Sequence, residues 1–129
     1  MKKPYLDFYQ KHNVSPVAND VNWNMHFAQR KGLYYRLGIT PGIIKEKNIL
    51  EFGPGNGVNA IFTISMSPSK YILVDANPKG IENCKKNLSY FHKDKNWEIV
   101  DSLIDDFKLE EKFDLVICEG LLPNQINPA

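Results

Sequence analysis

Five residues near the middle of the chain have the types and spacing to hold a ligand: Glu51, Gly53, Gly55, Gly57 and Asp75. The three glycines form a G-x-G-x-G run with Pro54 and Asn56 between them, directly after an apolar stretch at residues 48–52 and directly before a segment of helical period. A strand that enters a glycine-rich turn and then a helix aims backbone N–H groups and the positive end of the helix dipole at a ligand. Spacing separates the ligand classes, because the dinucleotide fingerprint places its third glycine one residue later, where this chain has Val58. Glu51, two residues before the first glycine, stands where a nicotinamide-binding strand usually stays apolar. An amino-acid moiety would explain it, since an α-ammonium group needs an anionic or carbonyl partner, met directly or through water. Asp75 follows Gly53 by 22 residues, where a carboxylate can accept hydrogen bonds from both ribose hydroxyls of a nucleoside. It argues for an adenosine-containing ligand without choosing between cofactors.

These residues need a scaffold, and the pattern from Lys45 onward supplies one. Short apolar runs alternate with helical segments, as in βαβ units around a parallel sheet. Strands are expected at residues 48–52, 70–74, 97–100 and 113–118, the last being the most apolar. A helix is expected over 58–66, ended by Ser67 and Pro68. A second begins at Asn77 as N-cap with Pro78 in its first turn, and buries Ile81, Cys84, Leu88 and Phe91. Residues 105–111 read as a charged connection and those after Gly120 as loop. Upstream, Phe27, Leu33, Tyr34 and Leu37 predict an amphipathic helix over about residues 24–37, stopped by Gly38. Residues 7–9 suggest a short helix and 13–16 a break.

The ordered set Ile49-Leu50-Glu51-Phe52-Gly53-Pro54-Gly55-Asn56-Gly57, Val74-Asp75, Asp101 and Phe113-Asp114-Leu115-Val116 resembles the successive motifs of class I S-adenosylmethionine-dependent methyltransferases. The resemblance covers roughly residues 46–122. It implies a Rossmann-like α/β three-layer sandwich with strand order 3-2-1-4 in this chain, S-adenosylmethionine as cofactor and S-adenosylhomocysteine as product. By position, Gly53, Gly55 and Gly57, in one turn with Pro54 and Asn56, would wrap the methionine part. Asp75 and the adjoining Ala76 would hold the ribose, Asp101, Ser102 and Leu103 the adenine, and Cys118 and Glu119 the floor near the sulfonium. The family's sheet is similar to a seven-stranded one, so an incomplete domain is expected, with either further chain or a second copy covering the fourth strand. Residues 1–45 would form a helical cap on a core of residues 46–129.

After the fourth strand the chain reads Leu121-Leu122-Pro123-Asn124-Gln125 rather than the Leu-His-His pattern that many small-molecule members resemble. The Asn-Pro-Pro-aromatic motif of DNA-base amino-methyltransferases is likewise missing. Glu119 and His26 remain the candidates for a catalytic base. His26 and Arg30 share a helix face from which they would close over a cofactor carboxylate or reach an acceptor; surface placement is the expectation for both. The aromatic Tyr35 is expected in the core, and Lys85, Lys86, Lys93 and Lys95 on a solvated face. No metal site is expected, because Cys84 and Cys118 lack ligand spacing.

Composition narrows the partners. Sixteen basic and fifteen acidic side chains give a net charge of +1, which makes no field to draw a nucleic-acid backbone. A small molecule or glycan is the expected acceptor, and nucleic acid is not. No apolar run approaches the ~20 residues that span a bilayer, and the absence of a signal-peptide pattern predicts a cytoplasmic setting. Two other function classes remain open: a non-catalytic nucleotide-fold scaffold, and an NAD-dependent oxidoreductase, which Glu51 and Val58 disfavour.

Overall fold

The computed structural model describes residues 21–93, 96–119 and Leu121. The readings at residues 7–9 and 13–16, Lys95, and the loop after Leu121 lie outside the described residues. In chain order the elements are α1 (Trp23–Arg36), α2 (Pro41–Ile44), β1 (Asn48–Phe52), α3 (Val58–Ile64), β2 (Lys70–Asp75), α4 (Pro78–Phe91), β3 (Trp97–Asp101) and β4 (Leu115–Ile117).

The four strands form one parallel sheet in the expected order β3-β2-β1-β4. Alternation along the strands sorts the apolar residues onto two faces. Ile49, Tyr71, Leu73 and Ile117 join the helical side chains Ile44, Ala60, Ile61, Ile64, Cys84 and Leu88 in the main core. Leu50, Ile72 and Val74 form the other cluster, against which Phe52, Val100, Phe107 and Phe113 pack. The helices therefore serve one face, while the opposite face is partly covered, among the described residues, by strand and loop side chains.

Local chemistry sets the helix ends. The Asn22 side chain accepts the Met25 N–H at 3.1 Å and starts α1. At its other end Gly38 takes a φ of +74°, letting the Ile39 N–H turn back to the Tyr34 carbonyl at 2.8 Å. Leu37, expected on the buried stripe, caps the helix and is exposed, as is Tyr35, which points away from the core. The short helix α2 was not legible in the sequence; Pro41 presets its first turn and Ile44 is fully buried. Helix α3 stops at Ile64, where i−3 bonds from Met66 to Thr63 and from Ser67 to Ile64 tighten the last turn before Pro68. Helix α4 begins as expected, with Asn77 accepting the Lys79 N–H at 3.2 Å.

The fourth strand is shorter than expected. It pairs with β1 only from Ile49–Leu115 to Glu51–Ile117. Asp114 sits ahead of it, its carboxylate accepting the Asn48 N–H at 2.8 Å, and Phe113 packs on the second face. Val116 is 54% exposed.

Helix α1 is fastened to the core through α3. Phe27 and Tyr34 each meet Phe62 edge-on at 5.4 Å, and the Tyr34 and Thr63 hydroxyls lie 2.6 Å apart. No helix among the described residues is long and apolar enough to cross a membrane.

Candidate functional site

All four strands run the same way, so their carboxyl ends share one rim of the sheet. The glycine turn leaves β1 there. Gly53, Gly55 and Gly57 take φ values of +68°, +59° and +79°, which side-chain-bearing residues adopt only with strain. Gly57 also has no room for a side chain, since a Cβ would lie 2.7 Å from the Cys84 sulfur of α4. Gly80 does the same work from the other side: a Cβ there would meet the Gly55 carbonyl at 3.3 Å. The first turn of α4 thus lies directly against the glycine loop. Gly80 escaped the sequence reading, although a glycine in a helix's first turn, where propensity disfavours it, is a signal of close approach.

Asp75 ties this rim together. One carboxylate oxygen accepts the Gly55 N–H at 3.1 Å, and the other accepts those of Ala76 and Asn77 at 2.8 and 2.9 Å. Burial lifts its carboxyl above the usual range; the three backbone donors work against that and neighbouring Asp101 adds to it. A carboxylate has about four lone-pair sites, so room for a hydroxyl remains on the oxygen facing Gly55. Asn56 is buried in the turn, its side-chain oxygen accepting the Val58 N–H at 3.2 Å while Asn87 donates to its carbonyl at 2.9 Å. Pro54, also buried, accepts the Gly57 N–H at 3.0 Å.

A shallow cleft beside the turn is lined by Gly53, Asp75, Ala76, Ser102, Leu103 and Leu121 among others. It gathers most of the residues expected to meet ribose and adenine. Ser102 is oriented by its N–H to the Asp75 carbonyl at 2.9 Å and its hydroxyl to the Leu103 carbonyl at 2.8 Å. Asp101 stands level with Asp75 in the β2–β3 register but is exposed, outside the cleft lining. Leu121 was not foreseen as a cleft residue; its side chain lies over Gly53, within 3.2 Å of where a Cβ would be.

Glu51 is 4% exposed and accepts a hydrogen bond from the Tyr71 hydroxyl. Ile49 is the register partner of Tyr71, so the tyrosine reaches diagonally along the same face. Burial pushes the Glu51 carboxyl up to about 7; the Tyr71 bond opposes this, Glu119 adds to it and Arg30 relieves it. Tyr71 was missed because an aromatic in an apolar strand reads as core until the register is known.

The placement of α1 corrects one expectation. Arg30 is not on the surface but 6% exposed, since α1 packs over the rim. Its two terminal nitrogens donate to the Glu119 carboxylate at 2.8 and 2.5 Å, and its guanidinium carbon lies 4.9 Å from the centre of the Tyr34 ring. Burial opposes its charge, but the hydrogen bonds to Glu119 and the field of Tyr34 hold it more firmly protonated than usual. His26, half-buried, places Nε2 3.1 Å from the Val58 carbonyl, at the first turn of α3. Neither candidate base is therefore idle: Glu119 holds Arg30, and His26 faces a backbone carbonyl. Cys118 is half-buried beside Glu119, and Lys85, Lys86 and Lys93 are exposed.

A methyltransferase-domain family model matches residues 43–129. A curated tRNA1(Val) (adenine(37)-N6)-methyltransferase from a Flavobacteriaceae bacterium (strain 3519-10) is 33% identical over 82 residues, which are 63% of this chain and 36% of that protein. The chain thus spans about a third of that relative's length. Among solved structures, the fold resembles magnesium protoporphyrin IX methyltransferase from Synechocystis PCC 6803, with a TM-score of 0.69, 13% identity and coverage of 95% of this chain and 62% of that one. Protein arginine methyltransferase 10 of Arabidopsis thaliana matches with a TM-score of 0.65 and 20% identity, over 89% of this chain and 31% of that one.

Proposed function

Because the chain belongs to the methyltransferase-domain family, we propose that it binds S-adenosylmethionine at the rim of the sheet and serves methyl transfer to an acceptor. The observation that carries this reading is the glycine turn: three positive-φ glycines at the carboxyl end of β1, packed against α4 and tied by Asp75, with Gly53 lining a cleft shared with Asp75, Ser102 and Leu103. A fitting ligand is flat and polar at one end and zwitterionic at the other. The assignment gives Gly53, Pro54, Gly55, Asn56, Gly57 and Glu51 to the methionine part, with Glu51 as partner of the ammonium group. Asp75 and Ala76 take the ribose, and Ser102 and Leu103 the adenine, with Asp101 at its exposed edge. Cys118 and Glu119 flank the sulfonium, and the helical segment of residues 1–45 caps a core of residues 46–129.

When bound, the cofactor would supply an activated methyl group for in-line attack by an acceptor nucleophile, with S-adenosylhomocysteine as the leaving group. The chain's own part is to orient the partners and exclude water. Glu51 fixes one end of the amino acid, Asp75 the sugar, and α1 roofs the rim. A base is needed only where the acceptor must lose a proton, and Glu119 is the candidate for that role. We favour a small molecule or glycan as acceptor, because the net charge of +1 supplies little attraction for a nucleic-acid backbone. A second reading, an RNA base, is favoured by the name of the 33% identical relative.

The test is calorimetric titration with S-adenosylmethionine, S-adenosylhomocysteine and NAD. Micromolar binding of both sulfur nucleosides, lost in Asp75→Ala and absent for NAD, is the expected result. NAD binding in their place would return the dinucleotide reading. Transfer of labelled methyl into a cell extract, with and without ribonuclease, then separates the acceptor classes.

A further inference from the structure

Arg30 and Glu119 are 89 residues apart in sequence, and the structure joins them in a two-pronged ion pair. Extending the β1–β4 register beyond Glu51–Ile117 by two residues brings Glu119 level with Gly53, the first glycine of the turn. The pair therefore lies across the rim at the methionine end of the proposed site. Arg30 is nearly dry, and its Nε–H is buried without a hydrogen-bond partner. The carboxylate it holds is less committed, since the Glu119 side chain is 38% exposed. Glu51 feels both charges, which places all three groups within electrostatic reach.

The charge pattern is complementary to a zwitterion. Glu51 is the anion for an ammonium group, and Arg30 is the cation for the carboxylate beside it. A guanidinium held end-on through its two terminal nitrogens leaves Nε unused, whereas a carboxylate approaching side-on takes Nε and one terminal nitrogen together. Resting on the cofactor reading above, we propose that Arg30 exchanges partners: it leaves Glu119 for the α-carboxylate of the cofactor's methionine part, and so releases Glu119 toward the acceptor. The exchange keeps a counter-ion on the buried guanidinium throughout, which a buried charge requires. It also orders the reaction, since the only carboxylate placed at the end of β4 among the described residues becomes available after the cofactor is seated.

The decisive probe is decarboxylated S-adenosylmethionine, which keeps the ammonium, ribose and adenine groups and lacks only the carboxylate. Calorimetry on the full chain should show S-adenosylmethionine preferred over this analogue by about tenfold or more, a preference that falls to about threefold or less in Arg30→Met. Arg30→Lys, which keeps the charge and loses the fork, should lie between. Glu119→Gln should bind S-adenosylmethionine a few-fold more tightly, roughly three- to tenfold, and the analogue with unchanged affinity, because the competing carboxylate has gone. A gain in affinity cannot come from misfolding, so this variant keeps the idea testable even where Arg30→Met unfolds. Equal weakening of both ligands in Arg30→Met, or weaker binding in Glu119→Gln, would overturn the exchange and make the ion pair a structural strap. Binding of S-adenosylmethionine with no preference over the analogue overturns the exchange alone; binding of neither sulfur nucleoside by the unmodified chain overturns the cofactor reading with it.

Discussion

Ionising Glu51 works against the fold, because its carboxylate is buried and the Tyr71 hydroxyl is its one direct hydrogen bond among those described. Its folded pKa of about 7 lies above the ordinary carboxylate value, so between about pH 4.5 and 7 the folded chain holds a proton that the unfolded chain has lost. Stability from this group therefore falls as pH rises through that window and levels off above it, by an amount on the order of 3 kcal/mol. Glu51→Gln removes the effect. Thermal melts at pH 5 and pH 7.5 should show the unmodified chain losing more stability than Glu51→Gln over that interval. An α-ammonium ligand would reverse the penalty, so ligand affinity should drop below pH 7 with proton release on binding. At this scale the sequence was informative where chemistry is local. The glycine spacing, Glu51 and Asp75 lie on one strand–turn–helix–strand stretch and could be read in order. The Tyr71 and Arg30 contacts could not, because one depends on strand register and the other on where α1 docks.

Helix α4 shows how an element is aimed. Its N-terminus is fixed by three devices acting on adjacent residues: Asp75 accepts the N–H groups of Ala76 and Asn77, Asn77 caps the first turn, and Gly80 allows the helix to meet the Gly55 carbonyl. Asn77→Ala should cost about 1 kcal/mol, read as a lower urea midpoint with an unchanged slope. It should also weaken S-adenosylhomocysteine binding, since the cap holds the loop that Asp75 supports. A stability loss without any change in binding would separate the helix from the site. The boundaries of α4 and β1 were legible because caps, proline and apolar period all agree there. Those of β4 were not: a six-residue apolar run became three paired residues because Asp114 turns to cap β1 and Phe113 packs on the far face. Such choices are made by neighbours, not by propensity.

For the molecule as a whole, the two faces of the sheet are treated differently. One is sealed by helices, while the other shows Val116 to solvent on a strand that has β1 as its single neighbour among the described residues. Val116→Lys should therefore change stability by no more than ~0.5 kcal/mol and reduce self-association measured by light scattering. A larger loss of stability would mean that this face is covered in solution. The order β3-β2-β1-β4 has a further consequence, during synthesis. Of the described strands, the ribosome delivers β1 first and β4 last, roughly 65 residues later, which at ordinary elongation rates is about 3–13 s. For that interval the edge of β1 that will receive β4 has no partner, and it is the edge that carries Ile49, Leu50 and Glu51. The nascent chain would then hold one of the two inner strands of the described sheet half-paired, the state in which a ribosome-bound chaperone has the most to protect.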